Sequence, residues 1–218
     1  MNLLRILLVI SVFQLQAQKT IDPNYFSNPL DIPMVLSGSF GELRSNHFHS
    51  GLDIKTQQRS GVPIYAPADG YVSRIKVGHY GYGKALYIKH PNGYSTVYAH
   101  LQKFETTIQD FVKKSQYKKE RYEIELFPKE SSLLVKKGDL IAYTGNSGSS
   151  GGPHLHYEIR DAYSRPMNPM LFGLEIPDTK DPSVTSVLAY PVSDDATVNQ
   201  SSEPVKLRLI KQKDGSYK

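Results

Sequence analysis

The 218-residue chain contains no cysteine and no tryptophan. Without thiols there is no disulfide framework, no lipid-anchoring cysteine and no cysteine chemistry. A long apolar run is also missing. The segment Ile6 to Phe13 falls short of the ~20 residues that span a bilayer, and the rest of the sequence offers no candidate, so no stable membrane insertion is expected. The 26 Lys and Arg residues are spread rather than gathered into a stripe with interleaved aromatics, which excludes nucleic acid as the expected partner. The net charge of +5 suits solubility and an anionic surface equally well.

The chain begins with Met1-Asn2-Leu3-Leu4-Arg5, continues through a short apolar run, and reaches Leu15-Gln16-Ala17-Gln18. A basic start, a short apolar core and a small-residue end predict a secretory signal peptide over 1–17. The mature protein is therefore expected to be exported, periplasmic or extracellular, with 18–36 as a lead-in.

From Gly61 to Leu101 apolar residues alternate at period two, in segments separated by Gly, Pro and Asn. The clearest hairpin runs from Ala85 to Tyr98, and its Asn92-Gly93 pair predicts a tight primed turn. Further strands are expected at Leu140–Thr144 and from His154 to Arg160. Short strands between turn residues predict an all-β fold, mainly antiparallel and sandwich-like, with a groove and a small helical insertion. That insertion, at about 102–134, shows roughly helical spacing at Phe104, Ile108, Phe111, Val112 and Ser115, then alternation at Tyr122, Ile124 and Leu126. Residues 173–183 read as a linker. Residues 184–218 read as the opening strands of a second β module that the sequence truncates.

Against this frame stand His49-Ser50-Gly51-Leu52-Asp53, Tyr98-Ala99-His100 and His154-Leu155-His156. Several imidazoles with one carboxylate are what a mononuclear zinc hydrolase needs. Two or three imidazoles and an acid hold the ion, one position stays open for water, and unligated histidines move protons. On a strand His154 and His156 project to the same side, about 6.5–7 Å apart, so one can ligate while the other faces the same cavity. Imidazole ligands favour zinc over magnesium or calcium. The run Gly145 to Pro153 predicts a groove wall of few side chains. It also contains Gly148-Ser149-Ser150-Gly151-Gly152, but a serine elbow needs a helix after it, and here Pro153 and a strand follow. His47, His79 and His90 are expected in a loop, in an exposed turn and at a strand end.

These motifs, together with Ala66-Pro67-Ala68-Asp69-Gly70, Gly81-Tyr82-Gly83, Val135-Lys136-Lys137-Gly138 and Gly152 to Glu158, resemble the lysostaphin and LytM type of zinc endopeptidase. The resemblance spans 37–172, interrupted by the insertion. It implies a β-rich catalytic domain with a groove across an antiparallel sheet, and one zinc ion held by His49, Asp53 and His156. It further implies His100 and His154 as catalytic histidines, and peptidoglycan stem peptides or cross-links as substrate. Some relatives are inactive regulators of envelope amidases that have lost ligands. Retention of all five residues favours the enzyme. The sequence leaves the oligomeric state open.

Overall fold

In the computed structural model the period-two segments become antiparallel strands, and the structure describes residues 21–174, 176–177 and 184–217. The expected signal peptide lies outside the described residues, as do residues 178–183 of the expected linker. The chain divides into two units, 1–177 and 178–218.

The first unit runs β1 (Leu36–Gly38), β2 (Leu52–Lys55), β3 (Pro63–Tyr65), β4 (Gly70–Val77), β5 (Lys84–Lys89), β6 (Ser95–Ala99) and β7 (Lys103–Phe104). Helix α1 (Thr106–Lys119) follows, then β8 (Ile124–Leu126), β9 (Leu134–Val135), β10 (Leu140–Tyr143), β11 (His154–Arg160) and β12 (Pro166–Met167). Nine of these strands form one sheet along the path β1-β2-β11-β6-β5-β4-β8, with β12 added on β11 and β9 on β4. Strands β3, β10 and β7 form a second sheet. The mainly antiparallel β fold is as the sequence pattern predicts.

Alternation sorts the large sheet into two faces. Leu52, Ile54, Ile75, Leu86, Ile88, Tyr98, Leu155, Tyr157 and Ile159 point into one core, which also takes Ile64, Ile141, Ala142 and Phe104 of the second sheet. Asp53, His156 and Glu158 occupy the alternate positions of β2 and β11, beside Ala85, Tyr87, Val97 and Ala99 of a separate small cluster. The core therefore fixes the strands that carry the polar site on their other side. The lead-in also belongs to the core: Phe26, Leu30 and Met34 are buried, with the Phe26 ring 5.6 Å edge-on from Phe172.

The insertion contains both expected elements. Ile108 and Val112 bury the inner side of α1, the Glu105 side chain caps its first turn, and Lys118 and Lys119 oppose the helix dipole at its end. Phe104 lies outside the helix, in β7. Strand β8 pairs with β4, so the insertion extends the edge of the large sheet.

The β5–β6 connection differs from the expected primed turn. Only Gly93, at φ +88°, is left-handed, because Pro91 fixes a negative φ in the first central position. The Gly93 amide donates to the His90 carbonyl at 2.9 Å, closing an unprimed turn over His90–Gly93.

His90 does more than end a strand. It is 3% exposed, with Nδ1 2.8 Å from the Asp69 carbonyl and Nε2 2.9 Å from Thr96 Oγ1. Burial pushes its pKa down to about 4, against the Asp69 carbonyl, which raises it. An unfolded histidine titrates near ~6.5. Between those values the unfolded chain binds a proton that the folded chain refuses, so stability falls as pH drops through this window and levels off below it. The expected loss is up to about 3 kcal/mol. Urea unfolding across the window, for the protein and for His90→Gln, checks this: the variant should lose that part of the acid slope, and unchanged slopes would refute it.

The second unit contributes the antiparallel pair β13 (Ser186–Ala189) and β14 (Val205–Arg208), mostly exposed. Among the described residues no helix is long and apolar enough to cross a membrane.

Candidate metal centre

Residues from four places in the sequence meet on the groove face. His49 sits in the loop before β2, Asp53 on β2, His154 and His156 on β11, and His100 just after β6. Pairing of His156 with Asp53 on one side and Ala99 on the other fixes the lateral order. They line a groove of about 480 Å³ together with Arg44, Phe48, Ser50, Tyr82, Ser149 and Ser150.

Three atoms converge. His49 Nε2 lies 3.0 Å from His156 Nδ1 and 3.1 Å from Asp53 Oδ1, and His156 Nδ1 lies 2.9 Å from the same oxygen. The opposite ring nitrogens are already committed. His49 Nδ1 is 2.8 Å from the Ser39 carbonyl, and His156 Nε2 is 2.8 Å from Glu158 Oε1. Donating there leaves lone pairs on His49 Nε2 and His156 Nδ1, facing each other and a carboxylate oxygen. Three such atoms repel unless a proton or a cation lies among them. The donor set of two imidazoles and one carboxylate fits a zinc ion, and these three residues form the metal-capable cluster among the described residues.

Burial alone raises the Asp53 pKa, but the His154, His156 and His49 imidazoles around it outweigh burial whenever they carry a proton toward its oxygens, and hold the carboxyl far below the usual range. The other Asp53 oxygen is taken by Arg44 Nη2 at 2.9 Å. One oxygen is thus left for the cluster. Gly38 makes room for this pair, since a Cβ there would run into both Arg44 Nη2 and Asp53 Oδ2.

The two remaining histidines are oriented in the same manner. His100 Nδ1 lies 2.8 Å from the Ser147 carbonyl and His154 Nδ1 2.8 Å from that of Gly152, so each Nε2 is free to face the groove. Their rings are 4.8 Å apart, and His154 Nε2 is 3.5 Å from Asp53 Oδ1. Burial, aided by His154 and His156, pushes His100 down to about 4. His154 shifts upward: burial opposes, but the Asp53 carboxylate beside its Nε2 prevails. His100 has φ +58°, a left-handed conformation uncommon outside glycine and a mark of strained functional turns.

All five sequence-predicted site residues are brought together. His47 is exposed at the groove rim, and His79 is exposed in its turn, stacked 4.8 Å from Tyr122. The glycine-rich run does form a wall: Ser149 and Ser150 line the groove, and Gly148 interlocks with Gly83 so closely that a Cβ on either would strike the other's backbone.

Sequence reasoning passed over Glu158. It is fully buried, and its Oε1 accepts from His156 Nε2 and Ser50 Oγ, both at 2.8 Å, and from the Tyr82 hydroxyl; Oε2 accepts from Arg160 Nε at 2.6 Å. Burial raises its pKa, yet the bonds from His156 and Arg160 bring it to about 2. The available signal was its place two residues beyond His156 on the same strand face. Tyr82, likewise unassigned, stands 5.1 Å from the His156 ring, its own pKa raised by burial and by Glu158.

An antiparallel β-groove holding two imidazoles and a carboxylate, with two more imidazoles beside them, defines a candidate mononuclear metal centre. The description of peptidase family M23 matches residues 47–117 and 129–169, and the chain belongs to that family. All five site residues fall inside the matched segments.

Three relatives illustrate the likeness. The DD-carboxypeptidase/endopeptidase Mpg of Neisseria meningitidis is 33% identical over 136 residues, 62% of this chain and 25% of that protein. An uncharacterized metalloprotease of Haemophilus influenzae is 36% identical over 165 residues, covering 73% and 29%. The peptidoglycan DD-endopeptidase ShyB of Vibrio cholerae is 32% identical over 160 residues, covering 73% and 31%. The chain thus spans between a quarter and a third of the length of these relatives.

Proposed function

We propose that residues 37–172 form the catalytic domain of an exported zinc metalloendopeptidase that hydrolyses peptide bonds in peptidoglycan stem peptides or cross-links. The observation that carries this reading is the triangle of His49 Nε2, Asp53 Oδ1 and His156 Nδ1, each outer nitrogen already bonded elsewhere. Membership of the peptidase family and the names of Mpg and ShyB support the substrate class. The full set of histidines weighs against a non-enzymatic regulator of envelope amidases.

His49, Asp53 and His156 hold one zinc ion, which when bound supplies Lewis-acid polarisation and brings the pKa of water toward ~7. His100 Nε2, on a ring that is neutral at pH 7, accepts the proton of the attacking water and returns it to the leaving amine as the C–N bond breaks. His154, whose pKa is raised beside Asp53, donates from Nε2 to the developing oxyanion in its protonated form, with both ring nitrogens then carrying hydrogen. Arg44 keeps one oxygen of Asp53 out of reach, and Phe48 of the loop before β2 lines the groove beside it.

Mass spectrometry of a purified muropeptide dimer incubated with the zinc-loaded protein tests the reading. Monomers should accumulate with the net gain of one water, chelation should stop them, and added zinc should restore them. Dimers that persist under zinc-replete conditions count against it.

A further inference from the structure

The groove face of the large sheet continues past the metal centre. After His156, the β11 side chains on that face are Glu158 and Arg160, and the cross-strand row through Glu158 runs on through Val97 and Tyr87 to Arg74. Arg74 Cζ lies 4.6 Å from the centre of the Tyr87 ring and Arg160 Cζ 6.0 Å, so two guanidinium groups bracket one phenol.

Each guanidinium is fixed at one edge only. Arg160 Nε donates to Glu158 Oε2 and Arg74 Nε to Glu125 Oε1, both at 2.6 Å, and Arg74 Nη2 also pairs with Glu125. Among the described residues, neither the Nη atoms of Arg160 nor the Tyr87 hydroxyl has a hydrogen-bond partner. The side chains are partly shielded, Arg74 at 33% and Arg160 at 21% exposure. Glu158 is saturated by His156, Ser50 and Tyr82, so it neutralises Arg160 without filling its fork. Exposed Lys76 and Lys89 on the same face leave the patch net positive.

We propose that Arg74, Arg160 and Tyr87 form a carboxylate-binding subsite for the peptide whose scissile bond lies over the metal centre. The inference rests on the peptidase reading and deepens it: the substrate is an anionic peptide, recognised through a free carboxylate. Two planar guanidinium groups, each near the Tyr87 ring and bonded along one edge, are preorganised for carboxylate oxygens. Partial burial strengthens the interaction beyond that of an exposed ion pair. The four residues from His156 to Arg160 cover about 13 Å of strand, a span that about four residues of extended peptide match.

The test compares kcat/KM for two muropeptide dimers, one with free carboxylates and one with those carboxylates amidated. The protein should prefer the free acid by roughly tenfold or more, the size of a charge-assisted hydrogen bond. In Arg74→Gln that ratio should fall toward one, and Arg160→Lys, which keeps a charge against buried Glu158, should lower it by less. Equal rates on both dimers, or a ratio untouched in both variants, overturn the subsite. If neither dimer is cut, the peptidase reading fails separately, and calorimetric titration with the same two dimers decides the subsite. Tighter binding of the free acid that Arg74→Gln abolishes sustains it, and equal binding ends it.

Discussion

Replacing His156 with alanine is expected to remove zinc binding and peptide hydrolysis together while leaving the fold in place. His156 supplies one corner of the triangle through Nδ1, so its loss leaves His49 and Asp53 as a two-point grip on an ion that needs three protein ligands at a catalytic site. The drop in affinity should exceed the ~10–100-fold typical of losing an outer partner of a ligand. The fold should survive because the core of the large sheet lies on the other face, built from Leu155, Tyr157 and Ile159 of the same strand. Chelator competition for zinc, circular dichroism and release of soluble fragments from purified sacculi read the three effects. His49→Ala should behave alike. Robust hydrolysis by either variant would remove the metal from the mechanism.

Glu158→Ala should damage stability and metal binding at once. This buried carboxylate satisfies His156 Nε2, Ser50, Tyr82 and Arg160, and its removal strands a guanidinium and an imidazole N–H. Breaking a buried ion pair from one side costs about 3–5 kcal/mol. Freeing the outer nitrogen of a ligating histidine costs about 10–100-fold in metal affinity. Glu158→Gln separates the two effects. It keeps the volume and one carbonyl oxygen, but the amide nitrogen must then face another donor. If the oxygen stays with His156, the amide hydrogens oppose Arg160 Nε. Weakened zinc binding is expected from Glu158→Gln in a protein that still unfolds cooperatively in urea. Zinc affinity equal to that of the parent would reduce Glu158 to packing alone.

What could be read in the residues was local. Alternation along 61–101 and 154–160 announced the strands, and a single intervening residue put His154 and His156 on one face. The order of the motifs identified all five groove residues that the fold assembles. Long-range pairing was not legible. Ser50 and Tyr82 reach Glu158 from two distant stretches of chain, and no spacing rule records that meeting. Nor did the sequence reveal that His90 is sealed between the Asp69 carbonyl and Thr96. The expected primed turn failed because Pro91 presets the first central position of an unprimed turn, which shifts the turn by one residue to His90–Gly93 and leaves Gly93 alone left-handed. The insertion's strand was legible, but its docking on β4 was not, because an edge strand carries no mark of which neighbour it will find.

Strand β11 writes two messages in alternate letters, one for the apolar interior and one for the chemistry. A slip of a single residue against β2 or β6 would exchange them, driving imidazoles and a carboxylate into hydrocarbon and turning Leu155, Tyr157 and Ile159 toward water. No correctly built interior can therefore coexist with a misaligned centre. The same error penalty that guards folding also proofreads the alignment of the reactive groups.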